Sequence, residues 1–170
     1  MNKSIFLNNA LSVFLITGFL FGSMEALAEY KVTAFSDAVG YKNLIKGGGP
    51  TAFETITGKK KGRMDFMDLN NLCVALIMSN RAPEAVKTCE MASRKLKTLK
   101  YNSGWGYRRA SADVYSNLGV AKALSGDFTG ASSDLEKAQR IFSRHQAIKD
   151  NIRKVSLETG SFATIGENQE

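Results

Sequence analysis

The groups of this chain that could carry chemistry are two cysteines, one histidine, the backbone of a glycine cluster and a run of cations interleaved with aromatics. Cys73 and Cys89 are its only thiols. Two readings stand for them: a disulfide in an oxidising compartment, or two buried thiols packed as small hydrophobes. No further cysteine and no second histidine exists to complete a metal-ligand set. His145, between Arg144 and Gln146, reads as a solvated surface residue. Gly47-Gly48-Gly49-Pro50 would cradle a phosphate only if a Lys-Ser/Thr pair followed, and without one it reads as a turn. There is no Gly-x-Ser-x-Gly elbow and no His-Glu-x-x-His, and acidic residues stand singly or along helices. The expectation is therefore no enzyme, no catalytic residue, no metal and no cofactor.

The basic residues form two stretches. Lys59, Lys60, Lys61 and Arg63 make one. The other carries Arg94, Lys95, Lys97, Lys100, Arg108 and Arg109 around Tyr101, Trp105 and Tyr107. Such a mixture suits anionic polymers or lipid headgroups, so an envelope-associated binder of anions through this stretch is one functional reading. The plainer reading is a solvated helix face leading into an aromatic-anchored loop. The formal net charge is +7, which favours solubility and weak attraction to anionic surfaces.

The first 28 residues read as a leader. Lys3 gives a small positive start, residues 10–21 an apolar run, and Ala26 and Ala28 the small positions of a cleavage site. The apolar run is shorter than the roughly 20 residues a membrane span needs. Removal after Ala28 leaves a chain starting at Glu29 and exported, into the periplasm, where single-stranded nucleic acid is not an expected partner.

What must position these residues is a set of helices with a repeated spacing. Tyr115, Leu118 and Gly119 precede a Gly126-Asp127-Phe128 turn, and Ala131, Leu135 and Ala138 follow it. Upstream, Leu69, Leu72, Cys73 and Leu76 precede Asn80-Arg81-Ala82, with Ala85, Cys89 and Ala92 beyond. Val39-Gly40, Gly47-Gly48-Gly49 and Ala52-x-x-x-Ile56 repeat the scheme weakly. Thirteen residues separate Val39 from Ala52, Leu72 from Ala85 and Leu118 from Ala131. Small residues recur where paired helices would approach closely. The three alanines lie 33 and 46 residues apart, so about a dozen residues are inserted at 93–111.

Across residues 33 to 155 the chain resembles the tetratricopeptide repeat family. It departs from the pattern at Lys122, where an aromatic is usual, and at Lys59, where a small residue would close the first unit. The resemblance implies an all-α fold, a short array of antiparallel helical hairpins. A degenerate unit would fall in 29–64, two units in 65–159 with a polar capping helix bearing Ile148, Ile152 and Val155 on one face, and a loose tail in 160–170. It places Cys73 and Cys89 on facing helices, where a disulfide is geometrically reasonable. It also implies a scaffold that binds a protein or peptide in a concave groove. Groove positions would be Met67, Asn70, Asn71, Val74, Ile77 and Met78, then Asp113, Ser116, Asn117, Val120 and Leu124. Asn71 and Asn117 match a position whose amide bonds a peptide backbone. The cations of a carboxylate clamp are missing beside them.

Overall fold

The structure, a computed structural model, describes residues 29–59, 64–99 and 104–160. The expected leader, the basic residues at 60–63, Lys100, Tyr101 and the tail beyond Gly160 lie outside the described residues. The fold is all-α: α1 Tyr41–Leu44, α2 Gly49–Lys59, α3 Phe66–Met78, α4 Ala82–Lys97, α5 Trp105–Leu124, α6 Phe128–Ile141 and α7 Gln146–Glu158. No strand occurs among the described residues, and no helix there is long and apolar enough to cross a membrane.

Local chemistry sets the helix ends. Asp65 caps α3 by accepting from the Asp68 N–H at 2.9 Å, and Asp127 caps α6 by accepting from Gly130 at 2.8 Å. Pro83 sits in the first turn of α4, where its missing N–H costs nothing. The turns after α3 and α5 are built alike. Asn80 donates to Ile77 O and Arg81 to Leu76 O, just as Gly126 donates to Ala123 O and Asp127 to Lys122 O. The central residue is left-handed in both, Asn80 at φ 57° and Gly126 at φ 86°, conformations that asparagine and glycine tolerate best.

Helices adjacent in sequence pack on one another, most extensively α3 with α4 and α5 with α6, while α3 and α7 each also touch α5. Ala52, Ala85, Ala131 and Ala138 are fully buried. A Cβ on Gly119 would stand 2.7 Å from Leu135 Cγ and 3.0 Å from the Ala131 carbonyl oxygen, so α5 and α6 approach as closely there as backbone allows. Lys122 reaches from α5 to Asp134 on α6, Nζ to Oδ2 2.6 Å. Cys73 on α3 and Cys89 on α4 form a disulfide, Cα to Cα 5.3 Å, within the main apolar cluster.

Two regions differ from the sequence reading. The 93–111 stretch is less a loop than extra helix: α4 runs on to Lys97, and α5 begins at Trp105 and extends for 20 residues. Trp105 and Tyr107 thus lie on its first two turns. The first unit has no full leading helix. Gly40, at φ 86°, precedes a single turn at α1, residues 36–40 are turn and bend, and residues 29–35 before them form no helix.

Candidate functional site

That extended N-terminal segment is the most informative feature of the molecule. Residues 31, 33 and 35 each exchange two hydrogen bonds with one asparagine side chain. The Lys31 N–H donates to Asn151 Oδ1 at 2.8 Å, and Asn151 Nδ2 donates back to Lys31 O at 2.8 Å. Thr33 pairs likewise with Asn117 at 2.9 and 2.7 Å, and Phe35 with Asn71 at 2.7 and 2.9 Å. Because every second residue turns its backbone to the same side, the segment runs as an extended strap. It crosses α3, α5 and α7 in reverse order of sequence.

All three asparagines are fully buried. A primary amide offers an acceptor and two donors, which matches one peptide unit of N–H and C=O without a charge. The remaining capacity is also used. Asn117 Nδ2 donates to Asn70 Oδ1 at 2.8 Å, Asn70 Nδ2 donates to Thr33 O at 2.9 Å, and Asn151 Nδ2 reaches Ser116 Oγ at 3.2 Å. At the far end the Val39 N–H donates to Asp68 Oδ1 at 3.3 Å, and Asn71 Nδ2 to Val39 O at 3.3 Å.

Side chains of the strap anchor it laterally. Val32 and Ala34 pack with Leu44, Ala52, Ile56, Val74 and Ala75, whereas Phe35 lies edge-on to Phe66 at 5.7 Å. Tyr30 packs near Ile152 and Val155, under the Lys154 ammonium, 4.6 Å from the ring centroid. Its hydroxyl donates to the Glu158 carboxylate. Burial first, and then that carboxylate, push the phenol well above its ordinary range.

The residues expected to line a groove are therefore distributed as follows. Asn70, Asn71, Ser116 and Asn117 lie beneath the strap, and Val74, Ile77 and Val120 are buried in apolar clusters. Met67 and Asp113 line a cavity of about 550 Å³ beside Thr33 and Phe35. Met78 packs against the closely approaching backbone of Gly49, and Leu124 is exposed.

His145 corrects the surface reading. It precedes α7, and Nε2 lies 3.1 Å from Asp113 Oδ1, with both side chains largely buried. Burial pushes the Asp113 carboxyl above its ordinary value, opposed by His145 and Arg109. The pair ties the start of α7 to α5. Sequence spacing missed this because the partners are 32 residues apart on different helices.

The basic stretch is divided. Arg94 is exposed and reaches Glu90 at 3.5 Å. Lys97 is exposed and Lys95 half-buried at the end of α4. Arg108 donates to the Ile141 carbonyl at 3.0 Å, and Arg109 lies over the Trp105 ring at 5.5 Å. Trp105 is 65% exposed. Among the described residues no cluster of three His, Cys, Asp or Glu side chains is arranged to hold a metal ion.

Compared with protein-family models, curated proteins and solved structures, the chain finds no match.

Proposed function

We propose that this chain is an exported, periplasmic scaffold of tetratricopeptide type that binds another protein on the face where the strap crosses α3, α5 and α7. The observation that carries this reading is the asparagine row: Asn71, Asn117 and Asn151, one from each of these helices, hold an extended backbone, the chain's own, through its N–H and C=O groups. Their spacings support it as well. Asn71 to Asn117 is 46 residues and Asn117 to Asn151 is 34, the second being one repeat of this family. On this reading α7 is the leading helix of a third unit, not only a cap, and the two closed turns of identical bonding separate the paired helices of the units before it. The disulfide suits an oxidising compartment.

The test is site-specific photo-crosslinking in the envelope of the producing cell. A photoreactive residue at Lys31 or Met67 should give a discrete protein adduct, whereas one at Glu136, exposed on α6, should give none. Adducts from Glu136 alone would overturn the reading. So would loss of every adduct on neutralising Arg94, Lys95 and Lys97, since that result assigns binding to the basic stretch.

A further inference from the structure

The strap has two edges, and only one is used. The N–H and C=O groups of residues 31, 33 and 35 face the asparagines. In an extended chain those of Val32 and Ala34 must face the other way, and among the described residues they meet no hydrogen-bond partner. Both residues are only half-buried. Beside this edge lies the cavity of about 550 Å³, bounded by Phe35, Phe66, Leu99, Tyr107, Arg109 and Asp113. Free backbone groups at two-residue spacing, next to an aromatic-lined cavity, are the two halves of a strand-addition site: pairing supplies affinity and the cavity reads alternate side chains.

We infer that the free edge of the strap accepts one extended peptide segment of the partner protein, with an apolar side chain in the cavity. This rests on the reading of the α3, α5 and α7 face as the binding surface. The lining decides the side chain: Phe35, Phe66, Leu99 and Tyr107 favour an apolar one, and the carboxylate among them, Asp113, already faces His145 and Arg109. The chain as a whole carries +7. The same excess charge opposes pairing of two straps from two copies, which would bring like-charged molecules edge to edge.

The probe is the peptide acetyl-Glu-Thr-Phe-Thr-Val-Thr-Glu-amide, titrated into the intact protein by calorimetry and by amide hydrogen exchange. Saturable binding should slow exchange at Val32 and Ala34. Two N-methylated isomers, one blocked at Phe and Val and the other at the threonines, remove the N–H groups of opposite edges. One should bind at least about tenfold more weakly and the other should keep its affinity, as expected for lost backbone bonds on one edge only. Ala34→Pro should remove binding while leaving the asparagine bonds intact, because proline is tolerated where an edge N–H faces away from the ladder. Equal binding of both isomers, exchange at Val32 and Ala34 unchanged by bound peptide, or no saturable binding below about 1 mM would each overturn strand addition. Protection that rises with protein concentration in the absence of peptide would overturn it in favour of a second copy. None of these results touches the crosslinking test, so the edge and the face fail separately.

Discussion

An asparagine that hydrogen-bonds a strap through the strap's backbone reads it without sequence preference, and three of them in a row make the strap's own peptide groups the weak point of the molecule. Thr33→Pro deletes the N–H that Asn117 accepts and leaves a fully buried amide oxygen unsatisfied. A loss of about 1–3 kcal/mol is expected, read as a lower urea midpoint together with faster exchange at Lys31 and Phe35. Asp113 makes a different prediction. Its carboxyl binds a proton more tightly in the folded protein than its ordinary value of 3.8 allows, so the unfolded chain ionises first as pH rises. The Asp113 contribution to stability is thus fully present below the ordinary value and is lost as pH climbs through the raised one. Urea midpoints followed upward from pH 3 should fall less steeply in Asp113→Asn than in the parent, and an unchanged slope would show that burial does not set this carboxyl. At this scale the sequence marks Asn71 and Asn117 as amides placed to bond a backbone, but does not show that the backbone is the chain's own. Asn151 was not legible, because Lys149, Asp150, Arg153 and Lys154 around it give α7 the pattern of a solvated cap. The signal that finds it is the step of 34 residues from Asn117.

Helix pairs depend on the small residues between them. Gly119 already sits against Leu135 and the Ala131 carbonyl, so Gly119→Ala, which would strengthen an isolated helix, should instead destabilise this one by about 1–3 kcal/mol through overpacking. Thermal unfolding followed by circular dichroism decides the sign. Cys73 and Cys89, 16 residues apart on α3 and α4, should show no free thiol in the unfolded, unreduced chain. Their reduction should cost about 3 kcal/mol in the chain-entropy description of a loop this short. The helix pairs themselves were readable because small residues, turn residues and a 13-residue offset recur together. The lengthening of α5 toward Trp105 was not. Gly104 and Gly106 flank the tryptophan and suggest a loop, whereas Tyr107 packs against Leu69, Leu96 and Val114 and holds the first turns of the helix.

For the whole molecule, the strap's direction is the feature with the widest reach. Helix stacks are ordinarily one-dimensional, each unit touching only its neighbours, so that ends fray and middles persist. Here a single run of six residues is bonded at Phe35 to α3, at Thr33 to α5 and at Lys31 to α7, a sequence separation of 120 for the last pair. Because residues 31–35 precede every described helix and α7 is the last of these in sequence, the row is complete only once α7 has formed. Loss of α7 would remove both bonds to Lys31, at the opposite end of the described chain. Pulsed hydrogen exchange during refolding should show the amides of Lys31, Thr33 and Phe35 protected together and after those of α5, in a molecule whose two ends report one event.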